Sequence, residues 1–302
     1  MPRSGRVLVS RVSTAQALTH VLWIGGPPAS GKTTIATRIA RRHGLRWYGA
    51  DTQTWAHRDR AIREGNPAAL AWEAMTPDQR LVKATPAEMF ELSLEPERGA
   101  MVIDDLRSLP AAPLVIAEGS PLFPNVVVPH LTERARAVWL VPTPEFQRAR
   151  LEDRPSPKSV SDSKRARHNR IEVTLLLTAT IKSQARERGV RIVTVDGSRS
   201  IDELVASVEN AFVKALSRGP RAKTTAQRRE LIRYENEAIA TQHLGFFARV
   251  PAAGDPNTVV YPFACECGLP GCDEVVELAV ATYARSAQVN RSPLLAAGHG
   301  SP

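Results

Sequence analysis

Residues 21–34 read VLWIGGPPASGKTT and contain the most informative pattern in the chain. The run starts with a short apolar segment of strand length, and apolar residues recur at helical spacing after Lys32. The segment from Gly26 to Thr33 satisfies the pattern G-x-x-x-x-G-K-[ST], in which a phosphate-binding loop joins a strand to a helix. We therefore predict a strand, a glycine-rich loop that binds phosphate, and a helix, in that order.

The residue types of this loop suit nucleotide chemistry. Glycines let backbone N–H groups turn inward, and the following helix directs its positive end at the same point. Lys32 would neutralise β- and γ-phosphate oxygens, and Thr33 would offer its hydroxyl to Mg²⁺. We expect the cofactors ATP and Mg²⁺, and the expected nucleotide contacts are Gly26, Pro27, Pro28, Ala29, Ser30, Gly31, Lys32, Thr33 and Thr34.

Further strand candidates alternate with helical patterns along the chain, at residues 45–50, 114–118, 137–141 and 191–195. Together with residues 21–25 they predict an α/β fold of the P-loop NTPase class, a doubly wound, five-stranded parallel sheet with flanking helices. Residues 51–110 read as a mostly helical insertion. Within it, the segment from Thr85 to Glu88 predicts a helix start, and Pro96 is expected to break or kink a helix.

Changes in composition divide the chain into four segments. The boundaries predict an N-terminal lead at 1–20, the sheet domain at 21–217, a basic linker at 218–230 and a small Cys-rich module at 231–302. The linker is predicted from its basic, polar residues and its lack of an apolar period. The lead has no signal-like apolar block.

The composition indicates a globular protein. With 302 residues, 43% hydrophobic and 24% charged, collagen, long disorder and a bare disulfide scaffold are excluded. No apolar run approaches the roughly 20 residues that cross a bilayer, so we expect no membrane association. All 3 cysteines lie between Cys265 and Cys272, which suits a reducing, cytoplasmic location.

A net charge of +9 favours anionic partners, either phosphates or nucleic acid. It also fits a generally Arg-rich proteome. We expect ATP and a small-molecule acceptor as partners, and nucleic acid is possible but less favoured. The pattern carries no signal for an oligomeric state.

Beyond the loop, residues 21–216 resemble the P-loop small-molecule kinases, a group that includes adenylate kinase, chloramphenicol phosphotransferase and zeta-toxin-like proteins. The resemblance also rests on the helical insertion, on the segment 138–154 and on the ending at 195–198. It implies that Arg150 covers the adenine and Arg154 meets the transferring phosphate. Their i,i+4 spacing places both on one helix face, where a solvated helix with salt bridges is the alternative.

Four basic residues follow a Ser/Pro-rich loop at 155–163 and lead into a long helical pattern. They could form the far side of a lid that closes over the phosphate, or simply a solvated face. Arg167 and Arg170 are favoured for the lid because they lie nearest the apolar part, and Arg167 joins Arg154 as a candidate catalytic residue. The four are Lys164, Arg165, Arg167 and Arg170.

Two acidic residues end predicted strands, and open α/β sheets bind ligands at the carboxyl ends of their strands. Asp51 follows the second strand and is the candidate base for an attacking hydroxyl, with a helix cap or an Asx turn into the insertion as the alternative role. Glu118 ends the third strand, and the resemblance implies that it holds a water on Mg²⁺. We prefer it to the pair at 104–105, which fits the tail of a helix.

The insertion also carries candidate acceptor residues. Arg58, Arg60 and Arg63 would suit an acceptor that carries phosphate or carboxylate, although a solvated helix is the favoured explanation. Trp55 and Trp72 could wall an acceptor pocket, although packing in the core or between helices is more common.

The thiols form the pattern Cys265-Glu-Cys267-Gly-Leu-Pro-Gly-Cys272, a turned loop that can direct three sulfurs at one Zn²⁺. His299 is the first choice for a fourth ligand and His243 the second. We predict structural zinc, with free thiols and catalytic zinc as alternatives. Residues 230–300 resemble a small Cys-rich module of actinobacterial proteins, and that resemblance implies no activity.

These features predict an ATP-dependent kinase that transfers a γ-phosphoryl group to a small acceptor. Lys32, Arg154 and Arg167 would stabilise charge, and Asp51 would orient the acceptor hydroxyl. The alternative is a regulatory NTPase whose nucleotide state controls partner or nucleic-acid binding by the zinc module. A module whose loop only senses nucleotide is a third reading.

Overall fold

We analysed a computed structural model, which describes residues 17–156, 159–249, 255–289 and 292–300. Most of the predicted N-terminal lead, residues 1–16, lies outside the described residues. The described chain forms seven strands and eleven α-helices.

Five parallel strands form the central sheet in the order β2-β3-β1-β4-β5. The strands are β1 (Val21–Gly25), β2 (Arg46–Gly49), β3 (Val115–Gly119), β4 (Ala137–Pro142) and β5 (Arg191–Val195). They confirm the predicted parallel sheet. Gly25 pairs with Gly119, and Gly49 pairs with Glu118, so the carboxyl ends of β1, β2 and β3 meet at one edge.

Helices cover both faces of this sheet, which fits the largely apolar sequences of its central strands; Glu118 near the end of β3 is the polar exception in β1 and β3. On one face, α1 (Lys32–His43) and α9 (Ile201–Arg218) pack around Ile35, Val138 and Phe212. On the other, α5 (Glu95–Ser108) and α8 (Ser163–Glu187) pack around the strands. The short α6 (Pro124–Val127) follows β3, and α7 (Pro144–Glu152) follows β4.

The insertion between β2 and β3 is helical, as the sequence predicts. It contains a 3₁₀ turn at Ala50–Gln53, α2 (Thr54–Arg63), α3 (Pro67–Ala74), a π turn at Gln79–Lys83, α4 (Pro86–Glu91) and α5. Thr85 and Glu88 form the predicted capping box. The prediction for Pro96 was wrong: it lies in the first turn of α5, where its missing N–H costs nothing.

The segment predicted as a linker is partly helical, which corrects the expectation for residues 218–230. Helix α10 (Thr225–Phe247) starts inside it, with a capping box between Thr224 and Gln227. Only six residues separate α9 from α10, and they are hydrogen-bonded to the sheet domain, from Ala222 to Gly44 and from Leu114 to Pro220. The basic composition concealed this Thr-x-x-Gln helix start.

After α10, the described residues form a small antiparallel hairpin and one helix. They are β6 (Val260–Ala264), β7 (Val275–Ala279) and α11 (Val280–Val289). Ala240 of α10 packs with Phe263, Val280 and Tyr283 in a separate small core. Across the described ranges, every helix is too short or too polar to span a bilayer.

Candidate functional site

The glycine-rich loop, Gly26–Gly31, lies at the sheet edge where β1 and β3 end. Gly26 has a φ of +151°, and a Cβ there would lie 2.5 Å from the carbonyl oxygen of Leu140. Gly31 adopts the left-handed conformation, with φ 78°, immediately before α1. A side chain at Gly26 would collide with the backbone, and one at Gly31 would strain it. Lys32 follows directly as the first residue of the helix.

A buried glutamine that the sequence analysis missed holds this loop. Gln147 of α7 donates from Nε2 to the carbonyl oxygen of Pro28 at 2.9 Å. Its Oε1 accepts a hydrogen bond from the Thr178 hydroxyl at 2.9 Å. Gln147 is completely buried, so the position of the loop depends on both α7 and α8. No local pattern marks a glutamine whose partners are 119 and 31 residues away.

Thr33 and Glu118, both predicted to serve Mg²⁺, are in contact. The Thr33 hydroxyl donates to Glu118 Oε1 at 3.1 Å. Glu118 is 1% exposed, and its Oε2 is buried without a hydrogen-bond partner among the described residues. Burial raises the pKa of Glu118 to about 7, an effect that Lys32 and Thr33 oppose and Asp51 reinforces. A hydroxyl and an unsatisfied carboxylate oxygen are suitable donors for Mg²⁺ or its water.

Asp51 lies in the 3₁₀ turn directly after β2. Its Oδ2 is 3.9 Å from Lys32 Nζ, and its side chain is 53% exposed. The caps of the adjacent turn and of α2 are Gly49 and Gln53, so the alternative role of Asp51 as a helix cap is not observed. The carboxylate therefore lies near Lys32, the residue that directly follows the glycine-rich loop.

A cleft of about 840 Å³ joins these elements. Its walls include the glycine-rich loop, Lys32, Thr33, Thr34, Asp51, Phe146, Arg150, Arg154 and Gly197. Arg150 of α7 and Arg154, which lies beyond the end of α7, line the same cleft as the loop, and both are exposed. The prediction that both arginines lie on one helix face was wrong, because α7 ends at Glu152. Phe146 lies against Gly197, where a Cβ would approach the ring to 3.0 Å.

A smaller cavity of about 90 Å³ adjoins the cleft and contains further lid candidates. Pro28 and Arg154 line both spaces, and Arg167 and Arg170 of α8 line only the smaller one. Lys164 and Arg165 are exposed and line neither. Arg154, Arg167 and Arg170 thus come together beside the loop, although Arg154 precedes Arg167 by a whole connecting segment.

In α5, Arg98 is buried and Glu95 is half-buried, and neither residue was identified from the sequence. Arg98 Nη1 donates to Glu95 Oε1 at 3.0 Å, and Arg98 Nη2 donates to the carbonyl oxygen of Ala50 at 2.6 Å. Arg98 thereby positions the turn that carries Asp51. Burial raises the pKa of Glu95, with opposing and reinforcing charges from Arg98 and Asp51.

The predicted acceptor residues separate into different environments. Arg60 forms exposed ion pairs with Glu64 and Asp104, and Arg63 is exposed. Arg58 is buried against Trp72. Trp55 packs on Phe246 of α10 instead of lining the cleft.

The three cysteines and His299 form a second cluster. One ligand atom from each of these four residues lies within 4.8 Å of the others. His299 Nδ1 is 3.3 Å from Cys265 Sγ and 3.7 Å from Cys272 Sγ. The residues lie close enough to bind one metal ion, and the histidine beside the cysteines is His299, the first choice from the sequence. His243, the second choice, packs on Tyr261 with ring centroids 5.0 Å apart.

The donor chemistry of this cluster fits a metal. Cys265 and Cys267 are buried, and Cys272 is half-buried. Burial and the neighbouring thiols raise the pKa of Cys272 to about 12, so ionised sulfurs need a compensating cation. Three sulfurs and an imidazole are a donor set that Zn²⁺ accepts in tetrahedral sites.

Glu266, between the first two cysteines, organises the surroundings of the cluster. Its buried carboxylate accepts hydrogen bonds from Arg233, Asn236, Tyr283 and the backbone N–H of Leu294. The last contact anchors the C-terminal segment that carries His299. The cluster is therefore supported from α10, α11 and the tail at once.

The Cys-rich region also contacts α1, the helix that follows the glycine-rich loop. Asp273 Oδ2 is 3.3 Å from Arg38 Nε, and Arg41 forms a hydrogen-bonded ion pair with buried Glu235 of α10. Burial lowers and Glu235 raises the pKa of Arg41, with a net rise. The two candidate sites thus lie against the same helix.

Comparison with protein-family models finds no match, and comparison with curated proteins finds none either. Among solved structures, the crystal structure of TT1252 from Thermus thermophilus is similar at 19% sequence identity and a TM-score of 0.36. That match covers 64% of this chain and 96% of the other. At this TM-score the similarity carries no argument about activity, which must come from the chemistry of the two clusters.

Proposed function

We propose that this chain is an ATP-dependent phosphotransferase of the P-loop class that transfers the γ-phosphoryl group to a small acceptor. The observation that carries the proposal is the cleft of about 840 Å³, in which Lys32, Asp51 and Arg154 line one space. These groups supply a cation for the phosphates, a carboxylate for the acceptor hydroxyl and a second cation for the transferred group.

The chemistry assigns each group a task. Backbone N–H groups of the glycine-rich loop and Lys32 bind the β- and γ-phosphates. Arg150 covers the base at the mouth of the cleft. Asp51 accepts the proton as the acceptor oxygen bonds to the γ-phosphorus and the bond to the β-phosphate oxygen breaks, while Arg154 and Arg167 stabilise the equatorial oxygens.

Mg²⁺ would be held at Thr33 and, through water, at Glu118, where it would neutralise charge on the phosphates. The contact between Thr33 and Glu118 and the unpartnered Oε2 of Glu118 support this assignment. Glu95 and Arg98 keep the turn of Asp51 in position.

We further propose that Cys265, Cys267, Cys272 and His299 hold a structural Zn²⁺. Their spacing within 4.8 Å supports this, and the hairpin around them has only a small core of its own. A structural metal stabilises such small units. Reduced thiols of this kind favour a cytoplasmic location.

A regulatory NTPase is the second candidate, because Asp273 beside Cys272 forms an ion pair with Arg38 of α1. This contact could transmit nucleotide state to the Cys-rich region. The kinase proposal and the regulatory one differ in where the γ-phosphate goes.

The test is incubation of the full-length protein with Mg²⁺ and γ-labelled ATP, with and without a metabolite extract. We expect label in a small molecule, lost in Lys32→Ala and retained in Lys182→Ala, an exposed lysine outside the cleft. Label released only as inorganic phosphate, with no effect of extract, would support the regulatory candidate and overturn the kinase.

A further inference from the structure

Two arginines of the insertion share one tryptophan. The Cζ of Arg58 in α2 lies 4.9 Å from the ring centroid of Trp72, and the Cζ of Arg80 in the π turn lies 5.1 Å from it. Arg58 is only 6% exposed, and Arg80 and Trp72 are half-buried. We name Arg58, Trp72 and Arg80 the arginine patch.

The patch has more positive charge than its surroundings balance. Arg58 Nη1 and Arg80 Nε are buried without hydrogen-bond partners in the described part of the chain. Within the same ranges Arg58 forms no ion pair, and the carboxylate that acts on it most strongly is that of exposed Glu73. A guanidinium buried in this way is costly unless an anion pairs with it.

Neighbouring charges strengthen this imbalance. Burial lowers the pKa of Arg58 to about 10, and the cations of Arg80, Arg98 and Arg249 act in the same direction. By contrast, Arg60 on the same helix forms ion pairs with two carboxylates. Of these two arginines of α2, the buried Arg58 is the one without an acidic partner in the described ranges, which is the reverse of what a structural role favours.

Arg98 links the patch to the turn that carries Asp51, through its charge and a hydrogen bond. Arg98, whose charge acts on Arg58, donates to the carbonyl oxygen of Ala50, the residue before Asp51. Asn169 of α8 donates hydrogen bonds to the carbonyl oxygens of Leu81 and Val82 in the π turn that carries Arg80.

Several buried polar atoms of the insertion and of α8 have no hydrogen-bond partner among the described residues. Besides Arg58 and Arg80, they include Glu95 Oε2, Arg98 Nε and Arg167 Nε, all within the insertion or the N-terminal half of α8. Such atoms are rare in native interiors and call for an explanation such as a polar ligand.

We propose that the arginine patch binds an anionic group of the acceptor, a carboxylate or a phosphate, and so selects hydroxylated acids or phosphomonoesters as substrates. The proposal rests on the proposed kinase function and specifies its substrate class. The planar guanidinium groups of Arg58 and Arg80 match either anion through paired N–H donors. The acceptor hydroxyl would then lie towards Asp51.

The first test measures anion binding without catalysis. Full-length protein saturated with Mg²⁺ and a non-hydrolysable ATP analogue, which occupies the glycine-rich loop, is titrated with inorganic phosphate and with succinate by calorimetry. We expect one of the two to bind, with affinity about tenfold or more lower in Arg58→Met and unchanged in Arg63→Met, its exposed control on α2. No binding of either anion to the parent protein, or equal binding by both variants, overturns the proposal.

Arg58→Met can also disturb packing against Trp72, so thermal melting accompanies each titration. Arg80→Met, at a less buried position, serves as the second variant and is expected to weaken the same anion. If Arg80→Met melts like the parent protein and still binds with parental affinity, the patch is not an anion site.

The second test identifies the anion on the acceptor. The metabolite extract is passed over an anion-exchange resin before the labelling assay, and we expect all acceptor activity to be retained by the resin. Prior treatment with phosphatase abolishes a phosphomonoester acceptor and leaves a carboxylate acceptor intact. Acceptor activity in the unretained fraction refutes anion recognition by the arginine patch and leaves the kinase proposal standing. If no labelled product forms although the anion still binds, the kinase proposal is refuted and anion binding by the patch is not.

Discussion

Replacing Glu266 with Gln should weaken both the fold of the Cys-rich region and the proposed zinc site. The Glu266 side chain is 2% exposed, and its ion-pair partner Arg233 is 25% exposed. Four groups donate hydrogen bonds to this carboxylate, from Arg233, Asn236, Tyr283 and the backbone of Leu294. An amide accepts at only one end, so the substitution leaves the Arg233 charge and at least one donor poorly compensated. We expect a loss of about 2–4 kcal/mol in the stability of this region.

The metal should report the same change. Leu294 anchors the segment that carries His299, so loosening it raises the cost of assembling the ligand set, and we expect Zn²⁺ affinity to fall about 10–100-fold. The assay is competition with a colorimetric zinc chelator, combined with thermal melting of the full-length protein. Glu277→Gln, an exposed carboxylate of β7, is the matched control. Parental zinc affinity and melting in Glu266→Gln would refute the role of this carboxylate.

Three further outcomes are expected. Metal analysis of protein purified without chelator should find one Zn²⁺ per chain, lost in Cys272→Ser; parental zinc content in that variant would exclude the site. Gln147→Leu should weaken ATP-analogue binding by about 1–2 kcal/mol, because the loop loses its hydrogen bond at Pro28, and unchanged calorimetric affinity would contradict this. Burial raises the pKa of Glu118 to about 7, whereas its pKa in the unfolded chain is about 4.3. The protonated carboxyl therefore contributes fully to the stability of the nucleotide-free protein below about pH 4.3, the pKa of the unfolded chain. That contribution is lost as the pH rises through about 7. Urea unfolding of Glu118→Gln should therefore show a shallower decline in stability between pH 5 and pH 8 than the parent protein, and parallel declines would argue against the burial effect.

The central sheet was predictable because its signals are local. Each strand is a short apolar run, and the helices between them have apolar residues at helical spacing, so the alternation itself implies a parallel sheet. The prediction failed where a local signal was masked by composition. The basic residues around Arg228 and Arg229 suggested a linker, although the capping box at Thr224 starts a helix there. Likewise, a proline breaks a helix only in its interior, and Pro96 lies in the first turn of α5, where it is compatible with the helix.

The candidate site likewise contains residues that the local sequence predicted and residues that it did not. The glycine-rich loop and the cysteine pattern are contiguous, and strand ends identified Asp51 and Glu118 because all parallel strands end at one edge. Gln147, Glu95 and Arg98 lie on helices whose patterns show only amphipathic surfaces. Their functional contacts are with backbone groups or side chains brought near by packing.

The sequence by itself determined the order of strands and helices, the loop geometry that requires Gly26 and Gly31, and the thiols available to a metal, since each depends on neighbouring residues. Only the tertiary structure decided which of several equivalent arginines is buried without an acid and which histidine meets the cysteines. It placed Arg58 against Trp72 while leaving Arg63 exposed, and it brought His299 to Cys265 across 34 residues. The physical reason is that burial and charge compensation depend on every element packed around a side chain, whereas the local pattern records only the side chain's own helix or strand.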